Sequence, residues 1–432
     1  MKKLLSIITL SAALFLSVIQ VSAQPLNINA KSYILIDSKT GQVLYGYNSK
    51  VKAYPASTTK IMTGILAIEY GDLDKFVMVN QSAIDDIGPG GMHIGLMAGE
   101  QLELRHVLNA LMVRSANETG YVIAENISSS RQEFYDLMNK RAKELGATDT
   151  NFVNPCGIDN GKKGENHLTT ASDLAKMARH AMTLPEFREI VQKTSYTIPP
   201  TNKHPEEVTI YTTNRLLTYS KYKSNYYTKI TGIKTGYTDR AKYNLVSSAI
   251  NDDGMELIAV VMGVDNYDNV FGYSKELLEY GFKNYSMKHI IASNSYIRSV
   301  PVADAAGNNN LDILAANDLK CLLPNDKDKQ QYTIEENIDS NITAPVKKGD
   351  VMGFLEIKNN DVSLGKVDLV ASRSIEKFVP PQSPKTIAFK SISDPLLKRV
   401  LIGTSIFLLM FVLLRFTLRK ISRTVNSKRT GR

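Results

Sequence analysis

Both ends of this 432-residue chain are apolar runs flanked by lysine and arginine, and that arrangement constrains where everything between them folds. Residues 1–23 begin with Lys2 and Lys3, run apolar from Leu4 to about Ile19, and close on Val21-Ser22-Ala23 before Gln24. A positive start, an apolar stretch and a small-residue cleavage site make a secretory signal peptide; the alternative is an uncleaved anchor, which the cleavage site disfavours. At the other end, Val400 to Leu414 carries no charge. As a helix this run reaches about 22 Å, short of a hydrocarbon core of about 30 Å. Counting residues 396–418 gives about 35 Å, with Lys398, Arg399 and Arg415 near the ends, where long side chains snorkel. The run is apolar on every face, which favours a span over an in-plane amphipathic helix. The basic residues 419–432 then belong in the cytoplasm by the positive-inside rule, with the body of the chain outside the cell membrane.

The net charge of +9 sits in the same two places. Residues 1–23 contribute two positive charges and residues 415–432 contribute seven, with no acid in either stretch. The body between is neutral, so the basicity gives no footprint for nucleic acid; in the tail it fixes topology and favours contact with anionic lipid. Two cysteines, Cys156 and Cys321, would meet an oxidising compartment, but they lie 165 residues apart in segments of different texture, and free thiols are expected.

Two textures divide the body. Up to about residue 285, strand and helix patterns mix. Residues 30–48 read as a hairpin turning at Ser38–Gly41. Residues 59–70 read as a buried helix, residues 102–127 as helices interrupted near Ser115, and residues 170–182 as an amphipathic helix. Leu245–Ile250 and Leu257–Val264 flank Asn251-Asp252-Asp253-Gly254 as a second hairpin, and residues 272–282 read as a closing helix. From 286 to 379 short β-type runs recur between Asn, Asp and Gly turns, which predicts a small all-β domain. Pro380, Pro381 and Pro384 mark a linker, residues 380–395, to the membrane helix.

Three short motifs carry chemistry. Ser57-Thr58-Thr59-Lys60 puts a hydroxyl and an amine one helical turn apart. A serine needs a base to become a nucleophile, and a buried lysine of lowered pKa can be one. Alone, the motif equally describes a helix-capping serine and a solvated lysine; the apolar run after Lys60 argues for burial, and a buried lysine is costly without a task. Ser115-Ala116-Asn117 lies between two helical patterns, and Lys234-Thr235-Gly236 lies in a β-type stretch followed by Tyr237-Thr238. Each alone is ordinary; S-x-x-K, S-x-N and K-T-G in this order are the signature of penicillin-binding proteins and class A β-lactamases. The six histidines show no metal-ligand spacing, and neither a metal nor a cofactor is implied.

With Ala98-Gly99-Glu100, Asn154-Pro155-Cys156-Gly157, Thr170–Ala175, Gly232–Thr238 and Leu277–Phe282, the sequence over about residues 28–285 resembles the low-molecular-mass D-alanyl-D-alanine carboxypeptidases, the type-5 penicillin-binding proteins. The resemblance implies an α/β domain of the β-lactamase/transpeptidase type. This has an antiparallel sheet flanked by helices and an all-helical lobe, followed by a small all-β domain and a C-terminal transmembrane helix. It implies Ser57 as nucleophile on the peptide bond before the terminal D-alanine, Lys60 as general base and Ser115 as proton relay. Asn117, Lys234, Thr235, Gly236, Tyr237 and Thr238 would bind substrate, with the backbone N–H groups of Ser57 and Tyr237 as the oxyanion hole. The partners implied are the peptidoglycan stem peptide and β-lactam antibiotics; no protein partner is indicated.

The sequence departs from the family pattern at several points. Ala116, Glu118 and Thr119 replace the usual residues of S-G-N-D-A, Cys156 stands where histidine is frequent, and Lys242 interrupts A-G-Y. Asp265–Phe271 contains no arginine where many members keep one for the substrate carboxylate, leaving Arg240 or Lys242 as substitutes. A β-lactamase using Glu165, a slow-acylating binding protein and a cross-link endopeptidase are the competing readings. The β domain and anchor argue against the first, and the intact motif residues against the second; the third shares all the chemistry.

Overall fold

The computed structural model describes residues 26–88, 90–219, 221, 223–382 and 395–427. The expected signal peptide, most of the linker and the last residues of the tail lie outside them.

A five-stranded antiparallel sheet organises the first part of the chain, in the order Val43–Tyr47, Ser32–Asp37, Glu256–Val264, Lys242–Ile250, Ile230–Thr238. Side chains alternate between its faces, as the two-residue period of a strand requires. Ile34, Ile36, Val246, Ile258, Val260 and Met262 face the larger core with helices Lys60–Tyr70 and Ala171–Ala181. Tyr33, Leu35, Leu245, Leu257, Ala259 and Val261 face the other way, onto Val270, Phe271, Leu277 and Leu278 of helix Tyr267–Asn284. The helical lobe is built from Leu104–Asn109, a π turn Ala110–Arg114, Asn117–Ile127 and Arg131–Glu144.

Both expected hairpins are present, and so are the helices near 59–70 and 170–182. The closing helix begins five residues earlier than the sequence reading placed it, because Asn266 caps it by accepting from the backbone N–H groups of Asp268 and Asn269. Helix Arg131–Glu144 was missed, although Ser130-x-x-Glu133 is a capping signal: Ser130 accepts from Glu133 N–H while the Glu133 carboxylate accepts from Ser129 N–H.

Helix Tyr267–Asn284 passes without a loop into strand Tyr285–Ile291, which pairs with Leu319–Pro324. Beyond it lies a second five-stranded antiparallel sheet around its own core of Leu311, Ile313, Leu355, Ile357, Val367 and Leu369. Its edge strand Thr333–Ile338 was not anticipated: nearly every residue is exposed, so it has no alternating pattern to read. Cys156 belongs to the first core and Cys321 to the second; both are buried free thiols. A helix, Pro395–Ser427, closes the described chain, and its Pro395–Ile421 part is long and apolar enough to cross a membrane.

Candidate active site

Ser57 sits in a single 3₁₀ turn, Ala56–Thr59, that leads directly into helix Lys60–Tyr70. The turn is held from several sides. Asn244, from the neighbouring strand, donates to the carbonyls of Tyr54 and Pro55. His167 is neutral: burial pushes its pKa down to about 3. Its Nδ1 accepts from Val153 N–H, so Nε2 carries the proton and donates to Thr59 Oγ1 at 2.8 Å. Gly236 lies so near that a Cβ there would stand 3.1 Å from Ser57 N. The Ile230–Thr238 strand is an edge of its sheet, and at Gly236 its backbone approaches the Ser57 turn.

Lys60 is completely buried, and Nζ has three close oxygens: Ser57 Oγ at 2.9 Å, Asn117 Oδ1 at 2.7 Å and the Cys156 carbonyl at 3.0 Å. The Asn117 orientation is fixed, because its Nδ2 donates to the Ile87 carbonyl. Two of the three oxygens can only accept. A neutral amine therefore gives its two N–H groups to Asn117 and Cys156 and turns its lone pair toward the Ser57 hydroxyl, the one partner able to donate. Burial lowers the Lys60 pKa to about 8, against the opposing pull of Cys156 and Glu118. The Ser57 hydroxyl and the Lys60 amine are thus in hydrogen-bond contact, with the amine's pKa within reach of neutrality, as a general base would need.

Ser115 closes the π turn in the left-handed conformation, φ 66°, a position a serine rarely takes. It is buried, two residues before Asn117. Lys234 is also buried, on the strand; its Nζ donates to the Thr235 carbonyl, and burial first, then Lys60, pushes its pKa well down. Thr235 Oγ1 is 2.6 Å from Thr213 Oγ1. Tyr237 is about half exposed and stacks on Tyr243, while Thr238 donates to Asp159 and closes the turn. Among the residues named from sequence, direct hydrogen bonds join Ser57, Lys60 and Asn117, with Gly236 against the same turn; Tyr237 and Thr238 lie further along the strand.

The sequence reading missed three contributors. The Cys156 carbonyl gives no side-chain signal; the thiol itself turns toward Asn154 Oδ1, so cysteine in place of histidine alters the wall behind the site and leaves this contact to Lys60 unchanged. Thr213 and His167 lie far in sequence from the residues they hold. Arg240 donates to the Asp159 carbonyl, Lys242 is exposed, and so is Glu165. No group of three His, Cys, Asp or Glu that could hold a metal occurs among the described residues.

The sequence profile of the D-alanyl-D-alanine carboxypeptidase family matches residues 19–266, more than half of the chain. This chain belongs to that family. A second profile, the C-terminal domain of penicillin-binding protein 5, matches residues 285–377. D-alanyl-D-alanine carboxypeptidase DacF of Bacillus subtilis is 31% identical over 351 residues, 81% of this chain and 86% of that protein. DacA of Haemophilus influenzae is also 31% identical, over 366 residues, 82% of this chain and 88% of its own length. Among solved structures, penicillin-binding protein 5 of Haemophilus influenzae superposes with a TM-score of 0.63 at 28% identity, covering 82% of this chain and 99% of that one. A Streptococcus pneumoniae protein described as a peptidoglycan synthesis regulatory factor (PBP3) gives 0.67 at 25% identity, covering 81% and 100%. Membership of a carboxypeptidase family whose second domain is also present sets the β-lactamase reading aside.

Proposed function

We propose that the protein is a membrane-anchored serine D-alanyl-D-alanine carboxypeptidase acting on peptidoglycan stem pentapeptides, with its catalytic part at residues 28–285 and the β-rich part at 286–379. One observation carries the assignment of chemistry: a fully buried Lys60 whose Nζ lies 2.9 Å from Ser57 Oγ and whose other two partners can only accept.

The Ser57 hydroxyl gives its proton to neutral Lys60 as Oγ attacks the carbonyl before the terminal D-alanine. The backbone N–H groups of Ser57 and Tyr237 take the developing oxyanion. As the tetrahedral species collapses, the C–N bond breaks and the leaving amine receives a proton through Ser115. Water then attacks the Ser57 ester, with the same lysine as base, and frees the shortened peptide. The edge strand Ile230–Thr238 offers the substrate backbone a partner, as strand addition does elsewhere. A β-lactam stops after the first half, leaving its acyl group on Ser57.

Full-length protein in detergent, given a stem pentapeptide and, separately, a fluorescent penicillin, tests this. D-alanine release together with a label that withstands denaturation and is absent in Ser57→Ala supports the assignment; a wild-type protein giving neither sinks it.

The apolar helix Pro395–Ile421 anchors the protein. We place the body outside the cytoplasm and the basic tail inside. Protease added to intact cells is then expected to digest the body and spare an epitope at the C-terminus. An accessible C-terminal epitope and a protected body would reverse the topology.

A further inference from the structure

A carboxypeptidase must recognise a free carboxylate one residue beyond the carbonyl it attacks. The lysines nearest the nucleophile are poorly suited to that task. Lys60 is engaged by Ser57, Asn117 and Cys156. Lys234 is buried beside it, and burial together with Lys60 disfavours its charged form. Arg240 turns toward Asp159 and Tyr54. The segment Asp265–Phe271 has no cation.

That segment instead holds a cation supplied from elsewhere. We propose that Arg215 binds the terminal carboxylate of the substrate, a role that rests on the carboxypeptidase reading above. Arg215 opens the short turn Arg215–Leu217, two residues after Thr213. Thr213 Oγ1 is hydrogen-bonded to Thr235 Oγ1, and Tyr267 OH donates to the Thr213 carbonyl at 3.4 Å. The guanidinium carbon lies 4.0 Å over the Tyr267 ring, which is backed by Tyr243 at 5.1 Å and Phe271 at 5.3 Å. A continuous set of contacts therefore runs from the K-T-G strand through Thr213 and Tyr267 to Arg215.

The guanidinium already holds a carboxylate. Its Nη1 pairs with Asp268 Oδ1; the aspartate side chain is 67% exposed and the arginine side chain 19%. The aspartate end stands in water, where it can swing away from a guanidinium that its packing holds in place. A guanidinium also presents its N–H donors in a planar fork, which suits a second carboxylate displacing the first. Asp268 thus marks where the substrate's own carboxylate is received. Packing over the Tyr267 ring restrains the guanidinium, so less ordering remains to be done on binding.

The test compares two peptides with the full-length protein in detergent: one ending in D-Ala-D-Ala with a free carboxylate, the other with the same sequence ending in a carboxamide. Wild type is expected to prefer the acid. Arg215→Gln is expected to lower kcat/KM for the acid ~10- to 100-fold, the size of a lost charge-assisted contact. It should leave the amide rate within about twofold, and Arg215→Lys should recover part of the acid rate. Equal losses on both peptides would mean that Arg215 only supports Tyr267, and an unchanged acid-to-amide ratio would mean that it does not touch the carboxylate; either result overturns the proposal while the carboxypeptidase reading stands. Absence of D-alanine release by wild type would overturn both.

Discussion

Lys60→Gln is expected to slow acylation of Ser57 by a fluorescent penicillin about 10³-fold, within the range for loss of a general base. The wild-type rate is expected to depend on pH in a way that the variant's residual rate does not. The reactive form is the neutral amine. With the Lys60 pKa lowered to about 8, only about one molecule in ten carries it at pH 7. The acylation rate should rise about tenfold per pH unit up to pH 7 and level off above about 8. The sign follows from burial: desolvation penalises the ammonium, the pKa falls, and the base becomes available at lower pH than a solvated lysine would allow. A solvated lysine would put the same break above pH 10. A flat profile between pH 6 and 9, or a Lys60→Gln variant keeping a tenth of the wild-type rate, would remove Lys60 from the base role.

The same residue shows what could be read from the sequence and what could not. The Ser57-x-x-Lys60 spacing on a helix, with an apolar run behind it, correctly predicted a buried amine on the serine's face. The two hairpins were legible because strands buried on one face or both leave β-rich apolar runs between turn residues. What surrounds the Lys60 amine was not legible. The Cys156 carbonyl and the Ile87 carbonyl that orients Asn117 are backbone groups, identical in every residue, and only the folded path places them. The left-handed conformation of Ser115 likewise closes a π turn, whose backbone pattern no side chain announces. Arg215 escaped notice for a related reason. The head of helix Tyr267–Asn284 carries no cation of its own, and the fold brings one to that helix from more than fifty residues upstream.

Gly157→Ala is expected to cost both stability and acylation, although it adds one methyl group and removes no functional atom. Asn154 Oδ1 accepts from the N–H groups of Cys156, Gly157 and Ile158, which folds this segment into a tight loop and aims the Cys156 carbonyl at Lys60. Gly157 takes φ +93°, and a Cβ there would lie 1.8 Å from the Ala56 carbonyl oxygen and 2.9 Å from Thr59 Oγ1. Those atoms belong to the turn that carries Ser57, and Ala56 is itself at φ 49°. The backbone cannot give way locally, so the two segments must separate. Strain at a positive φ and overpacking together cost ~2–5 kcal/mol, or a fall in Tm of ~10 °C for a domain of this size. A shift of about 1 Å between Ser57, Lys60 and their acceptors costs ~10²-fold in rate. Gly272→Ala is the matched control: nothing lies within 4 Å of its Cβ position, its φ is not positive, and it sits inside a helix, where alanine is favoured by up to about 1 kcal/mol. Thermal melts and penicillin labelling of both variants separate the cases. If Gly157→Ala melts like wild type and labels at the same rate, the loop is not wedged against the nucleophile's turn and the placement of the Cys156 carbonyl needs another cause. If it loses rate far beyond its loss of folded protein, the close approach of Gly157 to Ala56 is what sets the distance between Ser57 and Lys60.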